Sequence, residues 1–120
     1  MQDPVNLRVA AATEELAAWV YQATRSFPRD ERFSLTAQMR RAVVSIGSNI
    51  FEGCGRRTQK ELIAFLYFAH GSCSELAFQL RLAQRNEFVD KRAAADLTRM
   101  LSEVRRMLSK LIRELERRPR

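Results

Sequence analysis

One histidine, His70, and two cysteines, Cys54 and Cys73, are the side chains of this 120-residue chain best suited to acid–base, nucleophilic or metal chemistry. Cys73 follows His70 by three positions, so a thiol–imidazole pair on one helix is the first arrangement to consider. Such a pair needs a third group to orient the base, and the surrounding sequence offers none. Cys73 also falls at a core spacing, where a small apolar thiol is an ordinary occupant. A zinc site takes three or four ligands, and Cys54, His70 and Cys73 lack any tight ligand spacing. A di-iron bundle takes Glu-x-x-His from two helices. Here Tyr67 stands three residues before His70, and there is no second histidine. The Arg-x4-6-His arrangement of helical ribonucleases is missing too, because Ile63, Ala64 and Phe65 occupy the positions where its arginine would stand. No glycine-rich phosphate loop occurs. The sequence predicts no enzyme, no catalytic residue, no cofactor and no metal.

The remaining chemistry is that of charge. The chain carries a formal net charge of +7 and a pI near 10.4. Arginine dominates, with 18 Arg against 3 Lys. Its planar guanidinium pairs bidentately with phosphate and carboxylate, so the balance is compatible with a polyanionic partner. A GC-rich genome's preference for arginine accounts for the same numbers equally well. Two basic clusters are specific enough to name. Arg99, Arg106, Lys110, Arg113 and Arg117 step by seven, four, three and four, which puts them within roughly 60° of one another on a helix. Glu103 interrupts that row, and Glu114 and Glu116 stand beside it. Aromatic interleaving is absent, so binding through this face would be electrostatic, salt-sensitive and weakly sequence-selective. The second cluster, Arg56, Arg57 and Lys60 in "GRRTQK", stands at a predicted helix N-terminus, where backbone N–H groups favour anions. The alternative for both clusters is a solvated surface.

These residues need helices to position them. Three prolines and four glycines leave the periodic runs uninterrupted. The first helix is expected to open with Asp3 as N-cap and Pro4 at its first position. Its stripe runs Val9, Thr13, Leu16, Val20, Ala23 toward Phe27, with Trp19 and Tyr21 beside it. The second starts near Ser34 to Thr36 and buries Leu35, Met39, Ala42, Val43, Ile46 and Ile50. Gly53 and Gly55 are expected to end it in a left-handed turn. Thr58 and Glu61 have capping-box spacing at the start of the third. Leu62, Leu66, Ala69, Cys73, Leu76, Leu80 and Ala83 then form a heptad seam, with Phe65, Phe68 and Leu82 as a second apolar line. Small residues at its centre, Gly71 among them, are expected to admit a closely approaching helix. Asp90 is the expected N-cap of the fourth helix, whose seam is Leu97, Leu101, Val104, Leu108, Leu111 and Leu115. Met100, Met107 and Ile112 widen it.

The prediction is an all-α protein: one domain over residues 1–120, folded as an antiparallel up-down four-helix bundle. Paired apolar stripes on its third and fourth helices point to a homo-oligomer. No apolar run reaches the ~20 residues a membrane span needs. "MQDPVNLRVA" is unlike a signal peptide. A reducing, cytoplasmic setting is expected. In "SIGSNIFEG", Arg41, Ser45, Ser48 and Glu52 make a polar stripe opposite the core, with Asn49 at its edge. Short hydroxyls let another helix pack closely, so these five residues are read as structural or subunit-contact positions. A solvated face is the alternative.

Phe27-Pro28, Glu31, Leu35, Gln38, Arg40-Arg41-Ala42, Ser45-Ile46, Asn49-Ile50, Glu52-Gly53, Phe65-Leu66, Ala69, Gly71-Ser72 and Glu75-Leu76 form a specific combination. By these residues, and across roughly residues 13–115, the chain resembles the proteins encoded in intervening sequences of bacterial 23S rRNA genes, also called S23 ribosomal proteins. Phe51 departs from it, replacing a small residue, and Cys54 is also atypical. The resemblance implies a four-helix bundle assembled as a homopentameric ring. The accessory variability protein of diversity-generating retroelements looks like a relative, which implies RNA or DNA and a polymerase as partners. No catalytic residue is implied. The function expected is thus a basic, non-enzymatic bundle that binds nucleic acid, or alternatively a scaffold recruiting a polymerase or ribosome-associated protein.

Overall fold

The computed structural model describes residues 3–4 and 7–119. Among them are four α-helices and no strand: α1 (Arg8–Thr24), α2 (Leu35–Cys54), α3 (Gln59–Arg85) and α4 (Lys91–Arg117). α1 packs on α2, α2 on α3, α3 on α4 and α4 back on α1, and the diagonal helices keep their backbones apart. That is the pattern of an up-down bundle, in which each joint links neighbouring helices. α3 and α4 have 27 residues each, about 40 Å at 1.5 Å per residue, and they set the 49 Å long axis.

The core follows the heptads closely. Every seam residue of α3, from Leu62 to Ala83, is buried. On α4 the seam drifts: Leu111 is only half-buried, and Ile112 takes its place. A straight helix rotates by ~20° per heptad against a strict 3.5-residue repeat, so after two heptads the next residue faces inward. On α1, Thr24 is buried instead of Ala23, and its hydroxyl is satisfied by the Val20 carbonyl at 2.8 Å.

The helix ends correct three expectations. α1 begins at Arg8, with Leu7 as an N-cap that makes no side-chain capping bond. Pro4 instead accepts from the Leu7 N–H at 3.1 Å, closing a short turn ahead of the helix. The fixed proline φ suits such a turn as well as it suits a helix start. Neither glycine at the end of α2 is left-handed, since no glycine has positive φ. Gly53 lies inside α2 and serves close packing: a Cβ there would stand 2.8 Å from the Phe65 Cβ. The left-handed residue is Glu87 (φ 59°). The Phe88 N–H bonds the Ala83 carbonyl at 2.9 Å and the Glu87 N–H bonds that of Gln84 at 3.1 Å, the double closure of a Schellman turn. Phe88 then meets Phe27, ring centroids 5.6 Å apart, tying the α3–α4 turn to the α1–α2 connection.

Gly71 meets no helix of its own chain. It is exposed, and nothing lies within 4 Å of where its Cβ would be. Within the chain, Ala69, Ser72 and Cys73 make the close approach, and Gly71 faces outward.

Candidate nucleic-acid interface

All five residues of the α4 row are exposed. The leucine seam fixes this, because residues about 180° from a buried stripe face outward. Arg99 to Arg117 spans eighteen rises, about 27 Å of helix. The charges are not equally free. Arg106 donates to both Glu103 oxygens, from Nε at 3.1 Å, and this pairing, with Arg8 adding a smaller push, holds the Glu103 carboxyl below the usual carboxylate range. Arg99 pairs with Asp96 at 3.3 Å. Lys110, Arg113 and Arg117 form no ion pair among the described residues. Arg8, at the start of α1, joins Arg106 and Lys110 around a recess of about 280 Å³ that Glu114 also lines.

At the "GRRTQK" corner the Thr58 hydroxyl accepts from the Glu61 N–H at 3.1 Å and donates to Glu61 Oε1 at 2.9 Å. One of the orphan donors at the start of α3 is thereby taken, and a carboxylate occupies the place an anion would seek. Arg56 bonds Glu52 at 2.8 Å, lies 3.9 Å from Glu61 and covers the Phe65 ring at 4.8 Å. It is committed to holding the α2–α3 turn, whereas Arg57 and Lys60 are exposed and make no ion pair among the described residues. The basic residues therefore fall at two places, and α4 holds the longer free row.

The polar stripe of α2 divides. Ser45 is half-buried, and its hydroxyl meets Ser72 of α3 at 2.9 Å. Asn49 donates to the Ser45 carbonyl at 2.9 Å and hydroxyl at 3.1 Å. Ser45 thus joins α2 to α3 inside the bundle, with Asn49 bonded back to it along α2, while Arg41, Ser48 and Glu52 face solvent.

The residues first considered for catalysis stay apart from any assembled site. Both cysteines are free and buried, and burial pushes the Cys73 thiol up to about 12. That is the opposite of the lowered value a nucleophilic thiolate requires. No three His, Cys, Asp or Glu residues gather as a metal site among the described residues, and no helix there is long and apolar enough to cross a membrane.

Two arginines escaped the sequence reading. Arg81 on α3 and Arg105 on α4 face a common groove of about 430 Å³. Each directly follows a buried seam residue, Leu80 and Val104. That position beside both seams is the signal that could have found them.

A solved structure shares the architecture. The crystal structure of a protein of unknown function from the S23 ribosomal protein family of Bacteroides thetaiotaomicron VPI-5482 superposes with a TM-score of 0.81, at 22% identity, over 88% of this chain and 95% of that one. No curated protein matches the sequence. The profile of the 23S rRNA-intervening sequence proteins matches residues 5–110, nearly the whole bundle, and the chain belongs to that family.

Proposed function

We propose that the protein is a non-enzymatic, cytoplasmic bundle that binds RNA or DNA through the outer face of α4. The observation carrying this reading is the exposed row ending in Lys110, Arg113 and Arg117, three cations without ion pairs among the described residues on a chain of net charge +7. A helix presenting unpaired cations over its last two turns suits a phosphate backbone, whose counterions it displaces, and it reads no base sequence. Arg57 and Lys60 would add a secondary contact. Fluorescence anisotropy with a structured RNA and a duplex DNA is the test. Binding should weaken steeply between 50 and 200 mM salt, by roughly tenfold or more if three phosphates are contacted. Charge reversal at Lys110, Arg113 and Arg117 should remove it while the helical circular dichroism stays unchanged. Absence of binding at low salt would overturn the proposal.

A second reading concerns the outer face of α3. Phe68 and Phe78 on α3 are 58% and 62% exposed, flanking the open Gly71, and the buried Gln79 Oε1 has no hydrogen-bond partner. This favours a protein partner on α3, and the family resemblance makes another copy of the chain the first choice, in a five-membered ring. The resemblance to the retroelement accessory protein adds a polymerase as a further candidate. Light scattering separates the two: a stable monomer at micromolar concentration would remove self-assembly.

A further inference from the structure

The α3–α4 groove differs chemically from the two basic regions above. Ala77, Leu80 and Leu101 form its apolar floor, and Arg81, Gln84, Thr98, Ser102 and Arg105 form its rim. No carboxylate lines it. Among the described residues neither arginine makes an ion pair, and the Thr98, Ser102 and Gln84 side chains make no hydrogen bond. By contrast, Arg56, Arg99 and Arg106 are all engaged by carboxylates. α3 and α4 run antiparallel, as the bond from Gln59 at the start of α3 to Leu115 at the end of α4 fixes. Arg105 therefore stands at the Ala77 end of the groove and Gln84 and Thr98 at the other, with Arg81 and Ser102 between them. Two fixed positive charges, two hydroxyl donors and an amide thus surround an apolar strip.

We propose that this groove is a binding site for a phosphate ester, with the phosphate held between Arg81 and Arg105 and the organic part of the ester on the Leu80–Leu101 floor. A phosphate monoester dianion matches two guanidinium charges and has enough acceptor oxygens for them and the hydroxyls. The volume is in the range of small-molecule sites, ~300–1,000 Å³. An inorganic anion would leave the apolar floor uncovered, and a neutral apolar ligand would leave two arginines unanswered. The site is separate from the outer α4 row, so it stands whether or not that row binds nucleic acid.

Adenosine monophosphate is a suitable probe, since it carries both parts of such a ligand. The arginine Nε–Hε signals of the full chain report directly. On titration, the Arg81 and Arg105 signals should shift and saturate, and adenosine alone should leave them in place. Inorganic phosphate should bind more weakly. Arg81→Gln and Arg105→Gln should each weaken the nucleotide by roughly tenfold, the usual effect of losing a charged hydrogen bond. Reversal of Lys110, Arg113 and Arg117 should leave the nucleotide affinity unchanged, which separates this site from the outer face. Competition with a single-stranded oligonucleotide identifies the source: displacement of the nucleotide points to a backbone phosphate, simultaneous binding to a free phosphorylated metabolite. Arg81 and Arg105 signals that do not move with the nucleotide at millimolar concentration would overturn the proposal. So would equal shifts with an oligoglutamate peptide, which would make the groove a docking place for an acidic protein segment.

Discussion

Gly53 and Gly71 are both helical, yet they do different work. Gly53 lies against Phe65 and Leu62, with the Leu62 carbonyl 3.3 Å from a would-be Cβ. Backbone cannot step aside as a side chain can, so Gly53→Ala should cost about 1–3 kcal/mol, the range of overpacking. Gly71 meets no neighbour, and there Gly71→Ala should add about 0.5–1 kcal/mol by restricting the unfolded chain. Urea denaturation of both variants checks the pair. A neutral Gly53→Ala would mean that α2 and α3 are not pressed together at this point. Cys73 gives a prediction in pH. Its thiol is raised in the folded state from an ordinary 9.0 to about 12 by burial. Between those values the unfolded chain has released this proton and the folded chain has kept it, so stability falls as pH rises from about 9 toward 12. A Cys73→Ala variant should show a shallower loss between pH 8 and 10.5, measured by denaturant midpoint. The same burial makes native Cys73 slow toward iodoacetamide.

Helices and their ends were legible in the sequence to different depths. The α3 seam, the Thr58 cap and the Asp90 cap, which accepts from the Ala93 N–H at 2.8 Å, depend on residues three or four apart, and they stand where the spacing puts them. The start of α1 has no side-chain cap to mark it. The exchange of Leu111 for Ile112 is the drift of a helix against a strict heptad, which steps of four and three ignore, and Gly71 stands two positions from both Ala69 and Cys73, away from the seam. The groove between α3 and α4 was hidden for a different reason: Arg81 and Arg105 are 24 positions apart in sequence, and only the antiparallel pairing brings them to one side. The turn between those helices carries its own test. Glu87 holds a left-handed conformation that costs a residue with a Cβ roughly 1 kcal/mol, and glycine's greater unfolded freedom gives back part of that. Glu87→Gly should therefore stabilise the bundle by about 0.5 kcal/mol or slightly more, seen as a small rise in the urea midpoint. Glu87→Val, β-branched, should lower it.

At the scale of the molecule, the cationic row and the exposed phenylalanines of α3 lie on different helices. The cationic row is on the outer face of α4, and Phe68 and Phe78 are on the outer face of α3. An assembly through α3 would leave the α4 rows exposed and multiply them, so several weak phosphate faces would act together on one nucleic acid. Salt separates the two surfaces. Phosphate contacts are released as ionic strength rises, whereas apolar contacts are not screened. We expect 0.5 M salt to strip nucleic acid from the protein and leave its molar mass by light scattering unchanged. If copies assemble through α3, replacing Phe68 and Phe78 by serine should do the reverse: the assembly falls to monomers, the helical circular dichroism is retained, and affinity for a long nucleic acid drops while that for a short one, which spans a single subunit, holds. If instead the serine variant keeps the molar mass of the unaltered chain, α3 is not an assembly face.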